Sequence, residues 1–149
     1  MKTSKIFGVV ILIIQLMSAV ALIVAMHTML GVFVTALPSG GEEVEIKFTD
    51  PVIIPFTLTP VNNGYLEATM DVSIRMIVNG VEIASDSAVV SVPSHSIVPV
   101  ELELSIPLSE AQGYLQRGVD LQWETDISVT TLYDLISFST RMIIEGEGQ

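Results

Sequence analysis

The sequence predicts an all-β protein: a seven-stranded antiparallel β-sandwich of immunoglobulin type with one short helix, set behind a single N-terminal transmembrane helix. Three observations carry this expectation. No acidic residue, lysine or arginine occurs between Ile6 and Leu37. Beyond Gly41 the apolar residues recur at every second position, the period of a half-buried strand. Turn-forming residues then punctuate the chain at intervals suited to a sandwich.

About 20 apolar residues span the hydrocarbon core of a bilayer, and the first run exceeds that length. The helix is expected to fill the membrane from Ile6 to about Met26, leaving His27 and Thr28 at the outer interface. Met29 to Leu37 either continues as a helical stalk or begins an extended segment. Val34-Thr35-Ala36 has the small residues of a signal cleavage site, but the apolar core of a cleaved signal is usually about 7–15 residues, so the run reads as an uncleaved anchor. Lys2 and Lys5 are the only charged residues before Glu42. The positive-inside bias therefore leaves residues 1–5 in the cytoplasm and the C-terminal domain outside. The expected organisation is a cytoplasmic N-terminus over 1–5, helix and stalk over 6–37, a linker over 38–42, a sandwich over 43–145 and a frayed tail over 146–149.

Within the anchor, His27 reads as an interfacial residue rather than a proton carrier. Ala21 and Ala25 have a small-residue spacing that can bring helices together, and Gln15 could bond across such a contact.

The strands follow in order. Val44, Ile46 and Phe48 alternate with charged neighbours and predict a first strand. Val52 to Leu58 predicts a second, which Pro55 confines to an edge or a bulge because proline lacks the ladder donor. Pro60 ends it, and Asn62-Asn63-Gly64 forms a corner whose residues tolerate positive φ. Met70, Val72, Ile74, Met76 and Val78 then share one face of a third strand. Asn79-Gly80 between Val78 and Val81 is the signature of a type I′ hairpin, which requires positive φ at both positions. The return strand runs to about Val92, and Pro93-Ser94-His95-Ser96 turns the chain. Val98, Val100, Leu102, Leu104 and Ile106 face inward from the next strand.

Ser109 to Gln112 fits a capping box with Ser109 as N-cap, and Gly118 is placed to end that helix. Leu108, Ala111 and Leu115 would cover one end of the sandwich. Val119 to Val129 alternates again, with Trp123 on the core phase. After a turn near Leu132-Tyr133-Asp134, a last strand is expected to bury Ile136, Phe138, Met142 and Ile144. Tyr65, Tyr114 and Tyr133 fall near element ends, where a phenol buries its ring and wets its hydroxyl.

Charge and chemistry narrow the function. From Glu42 onward four basic residues face 17 acids, a balance of −13. Such a domain is repelled by nucleic acid and by anionic surfaces. The chain has no cysteine, which removes disulfides, thiolate nucleophiles and cysteine-bound zinc. His95, between Ser94 and Ser96, is the one candidate base of its kind outside the anchor, and neighbours in a turn seldom form a nucleophile pair. Glu101 with Glu103, and Glu124 with Asp126, lie two apart on strands, the spacing of a solvated face rather than of an acid–base pair. No loop carries a calcium-binding pattern, and no phosphate or dinucleotide loop is present. The expectation is therefore no catalytic residue, no cofactor, no metal and no small-molecule substrate.

One resemblance bears on the outer domain. Val52-Ile53-Ile54-Pro55-Phe56-Thr57-Leu58 leads into Thr59-Pro60-Val61-Asn62-Asn63, followed by the alternating strand, Asn79-Gly80, the Val92-Pro93-Ser94 step and the strand from Val98 to Ile106. In this order the segment from Phe48 to about Leu115 resembles the WHy (water stress and hypersensitive response) domain of group-two late embryogenesis abundant proteins. The corner looks like that family's Asn-Pro-Asn motif with the order scrambled. A basic N-terminus, one membrane helix and such an outer domain are also similar to harpin-induced-like plant proteins. The resemblance implies a seven-stranded sandwich without enzymatic activity, associated with stress protection or surface interaction.

The functional expectation is a non-enzymatic, membrane-anchored, extracytoplasmic sandwich that presents a surface to a protein partner or to itself. A pilin-like or archaeal motility or envelope subunit is the alternative, although Lys5-Ile6 lacks the Lys-Gly or Arg-Gly step of a processed pilin. An accessory subunit of a membrane complex is the third reading.

Overall fold

The computed structural model describes residues 2–37, 46–117 and 119–146. One long helix, α1 (Lys2–Ala36), is followed by β1 (Val52–Leu58), β2 (Val61–Asn62), β3 (Ala68–Val78), β4 (Val81–Val92), β5 (Ser96–Ile97), β6 (Val100–Ile106), α2 (Leu108–Arg117), β7 (Leu121–Thr131) and β8 (Ile136–Gly146). Strands make up most of the chain beyond α1. They form a four-stranded antiparallel sheet in the order β4-β3-β7-β8, a two-stranded sheet β1-β6 and a short β2-β5 ladder.

The sandwich follows from two alternating strands set face to face. Met70, Val72, Ile74, Met76 and Val78 of β3 are buried, as are Val100, Leu102, Leu104 and Ile106 of β6. The β1–β6 register, Val52↔Ile106, Ile54↔Leu104 and Leu58↔Val100, puts six apolar side chains on the same face. Each such side chain stabilises the fold by about 1.5–3 kcal/mol when fully removed from water. Pro55 lies opposite Glu103 in β1, and among the described residues β1 has β6 as its one strand neighbour, so the missing donor faces outward. Where the two sheets meet at an edge, Asp86 of β4 accepts the Glu103 backbone N–H of β6 at 2.8 Å.

Asn79 (φ 51°) and Gly80 (φ 79°) close the β3–β4 hairpin with the positive φ pair that the sequence requires. Trp123 is half-buried and meets Phe56 edge-on at 5.7 Å between ring centres, so the tryptophan joins the two sheets.

Helix α1 has two distinct halves. From Ile6 to Ile23 its large apolar side chains are exposed on all sides, as a lipid-facing span requires. From Ala25 onward one face turns inward: Ala25, Thr28, Met29, Val32 and Ala36 are buried. This three-and-four spacing is a single helical stripe. Met29, Val32 and Ala36 belong to the same apolar core as the strands, with Phe33 and Leu37 packed against it. Helix α1 therefore continues past its exposed half as a stalk, and its last three turns are part of the head. Cleavage at Val34-Thr35-Ala36 would remove these residues from the core.

Several expectations are revised. Ile46 and Phe48 are exposed, and Lys47 makes one isolated bridge to Ile53, so no strand forms over 46–48; Val44 lies outside the described residues. The last strand buries its apolar residues only in part: Ile136 and Met142 are half-buried against the core. Phe138 and Ile144 stay 44% and 62% exposed, because β8 is the outer strand of the larger sheet with β7 alone beside it. Glu145 and Gly146 continue the ladder opposite Gln122 and Leu121 instead of fraying. Ser109 is not the N-cap of α2. The Pro107 carbonyl already accepts the Glu110 and Ala111 N–H groups at 3.0 Å, and Asp50 accepts the Leu108 N–H at 3.4 Å. Leu108, Ala111 and Tyr114 pack on the core. The linker 38–42, the Leu115 side chain, Gly118 and residues 147–149 lie outside the description.

Candidate functional site

The corner at Asn62-Asn63-Gly64 is a seat for helix α1. Its residues were expected to serve a positive-φ turn, yet none of the three is among the positive-φ residues. Asn62 is fully buried and spends its amide on three backbone partners. Its Nδ2 donates to the carbonyls of Leu66 and Val92 at 2.8 Å, and its Oδ1 accepts the Gly64 N–H at 2.9 Å. The side chain thus fixes the chain path past α1. At Gly64 an added Cβ would lie 2.7 Å from the Cα of Thr28, so glycine is needed for close approach. One step further up, Thr35 Oγ1 accepts the Val61 N–H at 2.8 Å and donates to the Gly31 carbonyl at 2.8 Å. Phe33 meets Phe138 edge-on at 4.8 Å. Thr28 Oγ1, pressed against Gly64, has no hydrogen-bond partner among the described residues.

The second feature is a charged cluster on the outer face of the four-stranded sheet. Arg75 on β3 lies opposite Glu124 on β7, and Asp126 lies opposite Arg141 on β8. Arg75 Nη2 bonds Glu124 Oε1 at 3.1 Å and also pairs with Asp126. Arg141 Nε reaches Glu124 Oε1 at 2.9 Å and Asp126 Oδ1 at 2.7 Å. The Glu124/Asp126 pair was expected on a solvated face, but the Glu124 side chain is only 11% exposed. Two guanidinium groups and two carboxylates leave no net charge, and the cluster ties three strands together. The Arg141 hydrogen bond holds the Asp126 carboxyl below the usual carboxylate range, against a smaller opposing effect of burial, with Arg75 adding to the depression. A carboxylate so held is a weaker base than an ordinary aspartate. Asp71, Ser73, Ser128 and Ser139 border a shallow cleft of about 400 Å³ beside this cluster.

His95 has φ 56° in the β4–β5 turn and its ring packs on Tyr65 at 5.5 Å. Ser96 donates to the Pro93 carbonyl at 2.6 Å, away from the imidazole. Glu101 and Glu103 are exposed along β6. His27 is exposed on α1, and Ala25 is buried where the helix meets its own head, so its small side chain serves an intramolecular contact. Among the described residues no group of three metal-ligating side chains converges.

No known protein family matches the sequence, and no curated protein matches it. Solved structures match at low identity and with TM-scores below 0.5. A crystal structure of a protein from Archaeoglobus fulgidus is 13% identical, with a TM-score of 0.48 over 70% of this chain and 90% of that one. A solution structure from Arabidopsis thaliana is 17% identical, with a TM-score of 0.44 over 70% of this chain and 75% of that one. A putative beta-galactosidase from Bacteroides fragilis is 8% identical, with a TM-score of 0.47, and there the match covers 68% of this chain and 15% of the enzyme.

Proposed function

We propose that this protein is a non-enzymatic, single-span membrane protein whose β-sandwich head stands outside the cytoplasm and presents an interaction or stress-protective surface. The observation that carries the proposal is α1: a lipid-type apolar half and a core-forming half in one unbroken helix. Lys2 and Lys5 support a cytoplasmic N-terminus. The resemblance to WHy domains supports the protective role. Proteolysis of sealed right-side-out vesicles tests the topology: the head should be digested from outside while a short N-terminal fragment stays protected. Mild solubilisation followed by identification of co-purifying chains tests the function. Recovery as an isolated monomer under every mild condition would remove the basis for an interaction role.

A filament or envelope subunit is the second reading, and one observation favours it. Strand β8 is eleven residues long and ends the sheet order, with Phe138, Ile143 and Ile144 exposed on it. Long apolar edge strands are pairing sites that proteins ordinarily blunt. Crosslinks from β8 to β8 in intact cells would place this reading first, and crosslinks to a different membrane protein would favour an accessory subunit instead.

A further inference from the structure

Three chain segments meet at one end of the head. The β3 ladders pair Ala68 with both Val92 and Thr131, and Thr131 pairs with Ile136. The Val92 carbonyl is held by Asn62. The Asn63–Leu66 connection, the β4–β5 turn with His95 and the β7–β8 turn over 132–135 therefore project from the same sheet end. The opposite end, at Val78, Val81 and Leu121, lies ten residues along β3, about 33 Å away.

The docked helix fixes the height of this end. A helix entering the hydrocarbon at Ile6 leaves it after about 20 residues, near Met26, and each headgroup layer adds about 5–7 Å, or about four residues of helix. Thr28 then lies in the headgroup layer, and Gly64 is in contact with Thr28. Tyr65 follows directly and is 72% exposed. On the other side Phe138 packs on Phe33, and Leu135 lies in the turn just before Ile136, itself two strand residues, or about 7 Å, nearer this end than Phe138.

The β7–β8 turn is built to point outward there. Leu132, Tyr133 and Asp134 have φ of 54°, 55° and 65°, a run of left-handed residues that costs about 1–2 kcal/mol at each position. Thr130 Oγ1 bonded to Asp134 Oδ1 at 2.8 Å and Leu135 N–H donating to the Leu132 carbonyl at 3.2 Å hold the turn. Its product is two apolar side chains with almost no cover: Tyr133 is 99% exposed and Leu135 81%.

We infer that this end of the head docks in the outer lipid interface, with Tyr65, Tyr133 and Leu135 seated among headgroups and upper acyl chains. Tyrosine suits that depth, where its ring is apolar and its hydroxyl stays wet. Glu67 and Asp134 border a cleft of about 340 Å³ beside these side chains. Two carboxylates there favour headgroups that carry an ammonium and disfavour anionic ones. The inference rests on the reading of α1 as a membrane span.

Because the chain has no cysteine, single cysteines can be placed without background. The full chain is reconstituted in phosphatidylcholine bilayers with a nitroxide at one of Leu135→Cys, Tyr65→Cys, Val81→Cys or Ile14→Cys, and oxygen and a water-soluble nickel chelate serve as relaxants. Leu135→Cys and Tyr65→Cys should show a several-fold higher oxygen-to-nickel ratio than Val81→Cys at the far end. If Ile14→Cys is protected while Leu135→Cys and Tyr65→Cys match Val81→Cys, the interface inference fails alone and the span reading stands. If Ile14→Cys itself reads as aqueous, the span reading fails and takes this inference with it.

Discussion

Gly64 and Thr28 set the tolerance of the helix seat. Gly64→Ala places a methyl group against the Thr28 backbone, which cannot move without shifting α1. Overpacking of this kind costs about 1–3 kcal/mol, and thermal unfolding of the solubilised full chain should show it. Thr28→Ala should act in the opposite direction. It removes a buried hydroxyl with no partner, a group whose burial costs about 1–3 kcal/mol, and the transition should move up or hold. Asn62→Ala strands the Leu66 and Val92 carbonyls and is expected to cost about 1–3 kcal/mol or more. Asp126 adds a pH dependence. Its pKa is depressed in the folded state, so its stabilisation is present above the ordinary carboxylate range, about pH 4, and is lost as pH falls through the lower folded value. Asp126→Asn should flatten the acid limb of a stability–pH profile while leaving the neutral limb parallel to that of the parent. The sequence marked Asn62 and Gly64 as backbone residues. It could not mark them as a helix seat, because Thr28 is 36 positions away and no local period links them.

At the scale of elements, most strands were legible because each has one wet and one dry face. Met70 to Val78 and Val100 to Ile106 alternate without interruption, and the Asn79-Gly80 turn fixes the hairpin between β3 and β4. The errors fall where alternation persists without a covering layer. Ile46, Phe48 and Ile144 are in phase for burial, but nothing packs over them, and periodicity reports the phase of a strand rather than its partner. Likewise Glu124 and Asp126 looked solvated because Arg75 and Arg141 come from other strands. The largest element-level consequence concerns α1. A head truncated to begin at residue 38 lacks Met29, Val32, Phe33 and Ala36 and should expose their apolar seat. It should bind an apolar dye such as ANS and aggregate, whereas a chain beginning at Ala25 keeps the seat filled. Unchanged dye binding and a matching unfolding midpoint for the two truncations would show that the stalk contributes nothing to the core.

For the whole molecule, the sequence located an apolar run, a linker and an acidic β domain, and it left open whether the run ended in a stalk. The structure joins the run and the domain through one core, so α1 and head form a single body rather than a bead on a tether. This predicts restricted motion. A spin label at Val81 in bilayers should report the slow tumbling of the whole assembly, and Gly64→Ala should add a fast component by loosening the seat.

The same fusion makes the helix a lever. A long apolar helix adjusts to bilayer thickness by changing its tilt. With its last three turns set in the head, any change of tilt swings the sandwich through the same angle. Polarised fluorescence of Trp123, the single tryptophan, in oriented bilayers of two acyl lengths would register the swing. Membrane thickness would then set how far the β8 edge and the charged cluster beside it stand from the bilayer surface.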